Sequence, residues 1–424
     1  MVQNQQEITG SRKQYPRYRW VMVGLILITQ QIGVLVIGGI GILLPAIRGD
    51  LGFGMTESGV LASIGRLPMV ILAIPASLIL VRFSPKRVYL VSISFAAITG
   101  FIIGQAPTYV LLAIAYSLMG TAMVVREVPD TLLKLQWIPK KEFATIMGIS
   151  MGMIALGQSM SIMIIPFLLI VLGGWRNVFF VYSLAVLLMS VVWMVFAKNH
   201  ITPEYREDMS SQAGRAPLRG VLKRKEFSMI GIAIFGNALT YMTTLLFLPT
   251  YLLEERGMAL TTIGLIVGLM PIGGVCANLT MGFISDKIGL RKPTIWPAGF
   301  IQPFLYFGLI SPIPIWALPV LTFLVGFVAW SPFPAIRTIP FELSGVKPSE
   351  VAVGQSLIQT ITTLGIILGA PIAGYLAEAF GSLKTALLII CIFPLTMAIV
   401  GFLLPETGTK ARPRVKENGK RYAG

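Results

Sequence analysis

The chain has 424 residues, of which 55% are hydrophobic and only 12% charged, and its mean hydropathy is +0.79. A soluble globular protein carries about 25% charged residues, so a water-soluble domain of this length is excluded. The formal charge of +16 would suggest a polynucleotide ligand in a soluble chain, but most Lys and Arg residues fall in loops on one predicted side of a membrane, where they face anionic headgroups and no nucleic acid is needed.

Taken from the amino terminus, a basic head (residues 1–19) leads into an apolar run over 20–46, too long for a signal peptide and without a small-residue cleavage site. Further runs long enough to cross a bilayer follow at 57–81, 87–105, 108–134, 142–171 and 176–197. Lipid offers the backbone no hydrogen-bond partner, so each run must be a helix. Span 1 carries Gln30 and Gln31 near its middle, suited to solute contact or to interhelical hydrogen bonds. In span 2, Arg66 lies about ten residues in, near the midplane at ~1.5 Å per residue. An arginine at that depth is paired, packed or functional. If it binds a ligand, its planar fork suits a carboxylate, nitrate or phosphate. Span 4 holds Arg126, Glu127, Asp130 and Lys134. Arg126, Asp130 and Lys134 share one helical stripe and can neutralise one another, whereas Glu127 points elsewhere. Apart from Glu57 and Glu142, which open spans 2 and 5, Glu127 and Asp130 are the only carboxylates within the amino-terminal spans. They are the candidates for a coupled proton, with a fixed ion pair as the alternative. Gly148, Gly152 and Gly157 make a small-residue stripe in span 5, read as close helix packing.

The polar stretch 199–226 is the one long connection, and it separates an amino-terminal bundle (20–198) from a carboxy-terminal bundle (227–404) and a basic tail (405–424). Runs at 227–252, 261–284, 293–311, 314–340, 350–378 and 382–404 bring the predicted spans to twelve. Cys276 and Cys391 lie inside these runs and imply no disulfide framework. Asn237 and Tyr241 stand one turn apart in span 7, and Gln302 and Gln359 lie near mid-span in spans 9 and 11. All four are candidate solute ligands, with interhelical hydrogen bonds as the alternative. Arg337 in span 10 is followed three residues later by proline, as Arg126 is in span 4. The two either present positive charge to one anion from opposite bundles or close the cytoplasmic side. Other matches recur in the same order. Gly65-Arg66-Leu67-Pro68 returns as Gly268-Leu269-Met270-Pro271, and the loop 82–87 corresponds to 286–292. Pro139-Lys140-Lys141-Glu142 parallels Pro348-Ser349-Glu350, and Gly174-Trp175-Arg176 parallels Gly381-Ser382-Leu383-Lys384. Ordered matches of this kind indicate duplication into two parallel six-helix repeats. Arg66 has apolar Leu269 as its counterpart, and such one-sidedness suits a ligand-binding group.

The run Gly282-Phe283-Ile284-Ser285-Asp286-Lys287-Ile288-Gly289-Leu290-Arg291-Lys292 resembles the loop signature of the major facilitator superfamily, and the likeness extends over essentially the whole chain. The first-half copy departs from it at Ser77, Val81 and Ser84 while keeping Arg82, Lys86 and Arg87. The resemblance implies an all-α membrane protein of twelve transmembrane helices in two pseudo-symmetric six-helix bundles, the major facilitator fold. It also implies alternating access to a midplane site, with gate contacts at Asp286 and Arg291. The segment around Arg126, with Trp137-Ile138-Pro139-Lys140-Lys141-Glu142, the glycine stripe and Gly174-Trp175-Arg176, is similar to the anion:cation symporter branch, which carries organic and inorganic anions with protons or sodium.

The expected function is secondary active transport of a small organic anion, a carboxylate, by proton symport, with sodium and anion exchange left open. Arg66, Arg126 and Arg337 outweigh the intramembrane acids and make a field that attracts anions. The alternative is a proton-driven exporter of drugs or metabolites. In drug antiporters of the superfamily span 4 carries an earlier arginine and span 5 a Gly-Pro-rich motif. Those places here read Tyr116-Ser117-Leu118-Met119-Gly120 and Gly157-Gln158-Ser159-Met160. A non-transporting sensor would need an appended soluble domain. No nucleotide-binding motif, metal cluster or hydrolytic triad stands in the sequence, so neither an enzyme nor a cofactor or metal is expected. The Lys and Arg bias places both termini in the cytoplasm of an inner-membrane protein. The expected partners are a small anionic solute, its coupling ion and anionic lipid headgroups, with the chain acting as a monomer.

Overall fold

The computed structural model describes residues 17–80, 83–200, 224–343, 346, 348–408 and 410. Most of the predicted head, linker and tail, together with Val81, Arg82 and Lys347, lies outside them. The first half of the chain forms α1 (Arg19–Ile37), α2 (Ile40–Leu51), α3 (Met55–Ile64), α4 (Leu67–Leu80), α5 (Pro85–Gly104), α6 (Tyr109–Trp137), α7 (Lys140–Leu172) and α8 (Trp175–Phe196). The second half forms α9 (Lys225–Glu254), α10 (Leu260–Val267), α11 (Leu269–Ile288), α12 (Trp296–Ile310), α13 (Leu318–Trp330), α14 (Phe333–Glu342), α15 (Pro348–Ala379), α16 (Leu383–Ile390) and α17 (Leu395–Leu403).

Several of these boundaries are breaks within one predicted span, and prolines set them. A proline has no N–H for the carbonyl four residues before it, and its ring crowds that turn. Helices α3, α10, α13 and α16 end at Ile64, Val267, Trp330 and Ile390. Each of these residues stands four positions before a proline: Pro68, Pro271, Pro334 and Pro394. The repeated Gly-x-x-Pro of spans 2 and 8 therefore produces the same break twice. Among the described residues ten stretches are long and apolar enough to cross a membrane, and Arg19–Val34 is a shorter apolar helix. The expected count of twelve is not reached by length. The first span is broken at Gly38 and Gly39, and α12 has only 15 residues.

Helix α5 packs on α6 and α8, α9 on α15 and α17, and α11 on α13. Many of the outward side chains are large and apolar, such as Val171, Leu279 and Phe283, each more than 70% exposed, as a lipid-facing surface requires. The halves meet where α2 touches α9, α3 touches α15, and α7 touches α10 and α11. This seam is tight because it brings bare backbone together. A Cβ at Gly59 would overlap the Ala370 carbonyl, and one at Gly41 would lie 2.7 Å from the Leu246 carbonyl. Polar contacts reinforce the seam. Arg48 pairs with Glu254 at 2.6 Å, and the Thr56 N–H and hydroxyl donate to the Glu378 carboxylate at 3.0 and 2.5 Å. Deeper in, the Ser63 hydroxyl donates to the Ile367 carbonyl at 2.5 Å and the Ser159 hydroxyl to the Gly268 carbonyl at 2.6 Å. Arg48, Thr56, Glu254 and Glu378 all lie at the membrane side away from the described chain ends. On the terminal side, Arg19 pairs with Glu142 at 3.2 Å and Arg224 with Glu350 at 3.8 Å, each within its own half.

Candidate functional site

Beneath the seam, a cavity of about 180 Å³ lies between the halves. The break between α3 and α4 delivers Gly65, Arg66 and Met69 to it. Helix α6 contributes Tyr116, Met119, Gly120, Met123, Val124 and Glu127. Those positions are spaced by three and four and form one continuous helical stripe. Helix α7 adds Gln158, while α9 and α15 add Met242, Leu245, Leu246, Ile366 and Ala370.

Arg66 stands where the chain leaves the helix. Gly65 has no side chain, so the Tyr116 ring lies directly against it and Gly120 abuts its carbonyl. This contact fixes the depth of the break against α6. Among the described residues no hydrogen-bond or ion-pair partner meets the Arg66 guanidinium, and Tyr116 is the titratable neighbour on which its charge acts. Glu127 faces the same cavity and is exposed there. It sits eleven residues beyond Tyr116, ~16 Å along α6 toward the terminal side. The cavity thus has an unpartnered cation at its deep end and a carboxylate nearer its mouth.

The structure brings Arg66 and Glu127 to one cavity and places the other expected residues elsewhere. Arg126, next to Glu127 but turned about 100° around the helix, points into the amino-terminal bundle. Its guanidinium packs against the backbone of Gly33, in a small void with Thr29, Ser92 and Tyr182, and its Nε has no partner. Arg337 is exposed on α14 and does not line the cavity, so the two arginines are not brought to one point. The Gln31 side-chain amide packs against Gly157 through its Oε1. Asn237 is buried and donates to the Ala329 carbonyl at 3.2 Å, and Tyr241 lies edge-on to Trp330 with ring centres 5.9 Å apart. Gln302 is fully buried with both amide atoms unpartnered. Gln359 is exposed and donates to the Thr363 hydroxyl at 3.4 Å.

Of the two cations that share its stripe, Asp130 pairs with Lys134 and not with Arg126. The Lys134 ammonium donates to Asp130 at 2.7 Å and to the Ser150 hydroxyl at 2.9 Å. Gln30 donates to both Asp130 oxygens at 3.2 and 3.1 Å and accepts from Ser150 at 2.8 Å. This closed loop pins α1, α6 and α7 together and leaves neither charge unsatisfied. Breaking such a buried pair costs about 3–5 kcal/mol, because one charge remains without its partner. Asp130→Ala is therefore expected to lower the melting temperature of the detergent-solubilised protein, followed by tryptophan fluorescence. The double change Asp130→Leu with Lys134→Met should restore most of it. A single mutant that melts with the parent would show that the pair contributes nothing.

Asp286 and Arg291 form a separate cluster within the second half. Arg291 contacts Asp286 at 2.8 Å and Glu342 at 2.6 Å, and its backbone N–H donates to Glu406 at 2.7 Å. Hydrogen bonding to Glu342, with Asp286 assisting against partial burial, holds the Arg291 guanidinium above even its ordinary range. The cluster ties the loop after α11 to the end of α14 and to the segment following α17. Tyr116 and Gln158 complete the polar lining of the cavity. Tyr116 is a cavity residue beyond those expected from the sequence, and the Tyr116–Met119–Gly120–Met123–Glu127 stripe on span 4 is the signal that marks it.

The model of the Major Facilitator Superfamily matches residues 26–345 and 230–423. A probable 4-methylmuconolactone transporter of Cupriavidus pinatubonensis is 25% identical over 379 residues, covering 86% of this chain and 85% of that protein. A probable sulfoacetate transporter of Cupriavidus necator is 24% identical over 294 residues, covering 66% of this chain and 67% of that one. Among solved structures, a bacterial homolog of the human lysosomal transporter Spinster, inward-facing and occupied, superposes with a TM-score of 0.79 at 13% identity, over 92% of this chain and 97% of that one. At that identity the likeness speaks for the fold alone.

Proposed function

The chain belongs to the major facilitator superfamily, and on that premise we propose that it carries a small organic anion, a carboxylate or its like, in symport with a proton. Membership makes it a multi-pass secondary transporter of a small solute by alternating access, not an enzyme. The observation that carries the finer reading is Arg66, a guanidinium in the cavity between the halves with no partner among the described residues. The names of the relatives point the same way as far as charge goes, since sulfoacetate, a small dianion, and 4-methylmuconolactone, a ring with one carboxylate, are both organic anions, and the second is the one that suits a cavity with a single cation.

The proton enters through a charge count. With Arg66 protonated and Glu127 ionised, the empty cavity is neutral. An anion alone makes it negative and a proton alone makes it positive. Together they restore neutrality, and only neutral states reorient cheaply through low dielectric. Glu127 is therefore the proton carrier, while Asp130, held by Lys134, is structural. Arg126, Arg337, Gln31, Asn237, Tyr241, Gln302 and Gln359 are set aside as first contacts in this conformation. Asp286 and Arg291 brace the terminal side.

The architecture proposed with this function is twelve spans, the broken first span and the short α12 each counting as one. They form bundles over 20–198 and 227–404, with both termini cytoplasmic in the inner membrane. The seam closes the far side, so the conformation is the one that exchanges solute with the cytoplasm. Protons serve as coupling ion in place of sodium, and anionic lipid headgroups face the basic loops.

The test is uptake into proteoliposomes under an imposed pH gradient, against a panel of organic anions, inorganic anions and cationic dyes. One anion class should saturate. Glu127→Gln protein should lose gradient-driven accumulation yet keep substrate exchange, because exchange needs no proton release. Uptake confined to cationic or neutral solutes would overturn the anion reading. Met69, Met119, Met123 and Met242 in the lining favour the second reading, export of drugs or metabolites, and proton-driven efflux of dyes would support it.

A further inference from the structure

The two walls of the cavity differ in kind. Among the described residues every polar side chain in its lining, Arg66, Tyr116, Glu127 and Gln158, comes from the first half of the chain. The second half supplies only Met242, Leu245, Leu246, Ile366 and Ala370. Between Arg66 and Glu127 the first half adds Met69, Met119 and Met123, flexible thioethers that mould to irregular apolar shapes. A solute in this space therefore meets hydrogen-bond donors at one end and no donor along its opposite flank.

Resting on the anion reading above, we propose that the substrate is an amphipathic monoanion: a single carboxylate or sulfonate joined to a compact aromatic or alicyclic body. Its head lies at Arg66 with Tyr116 beside it, and its body lies against Met242, Leu245 and Leu246. Dicarboxylates are selected against. A second carboxylate would have to give up its water against an aliphatic wall that returns no hydrogen bond. Turned the other way, it would approach Glu127, a charge of its own sign. The charge count agrees: one unpartnered cation and one titratable acid balance one negative charge and one proton. An anion with no body, such as acetate, fills only the Arg66 end and leaves the methionine collar wet.

The experiment is competition for proton-driven uptake of labelled cyclohexanecarboxylate in proteoliposomes. Unlabelled benzoate is expected to compete at a concentration about tenfold or more below that needed of succinate or acetate. The neutral cyclohexanecarboxamide should not compete. Met242→Lys puts a second cation on the apolar wall and should bring succinate to within about threefold of benzoate. If succinate, acetate or nitrate competes best in the parent protein, the amphipathic assignment is overturned while anion transport stands. If no anion competes and only cationic or neutral solutes are taken up, the anion reading itself is overturned. If Met242→Lys is inactive, the parental order of benzoate over succinate still decides.

Discussion

Arg66→Leu protein is expected to reach the membrane in parental amounts and to accumulate no substrate. Leucine is the residue the second half carries at the corresponding position, Leu269, and the break that exposes residue 66 is set by Pro68, which the change leaves in place. The fold therefore tolerates it, and what is lost is the guanidinium. Removing one partner from a desolvated, hydrogen-bonded charge pair costs about 2–5 kcal/mol, so substrate affinity should fall at least about 30-fold. Arg66→Lys should recover little of this, because an ammonium cannot offer two parallel donors to a carboxylate. Membrane levels by immunoblot and binding by equilibrium radioligand assay check the two halves of the expectation. Parental affinity in Arg66→Leu protein would remove Arg66 from the site.

The second large effect is conformational. A side chain at Gly59 would meet the carbonyl of Ala370 and the nitrogen of Pro371, and backbone of that kind cannot rotate aside. Gly59→Val is therefore expected to wedge α3 from α15 and to populate the state open on the far side. Overpacking of this sort costs about 1–3 kcal/mol or more, enough to shift a two-state equilibrium roughly 5- to 150-fold. The readout is labelling of Ser63→Cys by a membrane-impermeant maleimide, in protein whose Cys276 and Cys391 have been replaced. Ser63 lies in the seam against Ile367, so its reactivity should rise at least tenfold in the wedged protein while transport falls. Gly49→Val serves as the control, since a Cβ there meets nothing within 4 Å. Equal labelling in Gly59→Val and Gly49→Val proteins would refute the wedge.

Much of the scaffold could be read from residue order alone, because its causes are local. Hydrophobic runs report burial in lipid, and a proline reports a broken turn wherever it stands. Thus the charge of Arg66 near the midplane was legible in Gly65-Arg66-Leu67-Pro68, whereas the run 57–81 was expected as one helix and the break that Pro68 imposes on it was not. Azimuth was harder. Arg126 and Glu127 are neighbours, yet one points into a bundle and the other into the cavity, and nothing in their spacing says which. Asn237 and Tyr241 do share a face, but it packs on Ala329 and Trp330, and a helix-packing face and a ligand face carry the same pattern. Asp130 found Lys134 one turn on and not Arg126 one turn back, a choice decided by Gln30 and Ser150 on other helices. Length misleads where a helix is short or bent. Trp296–Ile310 has 15 residues where the hydropathy run promised a full span.

The split between the cavity walls bears on how such a carrier can change over generations. On the proposed two-bundle architecture the copies of a doubled segment are free to diverge, and the ionisable groups of the cavity lining sit in the first half while the second half gives apolar shape alone. Altering Arg66 or Glu127 would disturb energy conversion and recognition at once. Exchanging one aliphatic or thioether residue for another at Met242, Leu245 or Ile366 costs under about 1.5 kcal/mol and leaves the ionisable groups untouched. With the proton and anion roles proposed above, new substrates are reached through the second half by small apolar exchanges, while the ionisable pair of the first half is left alone. A hybrid joining this first half to a relative's second half would keep its power source and inherit a new palate.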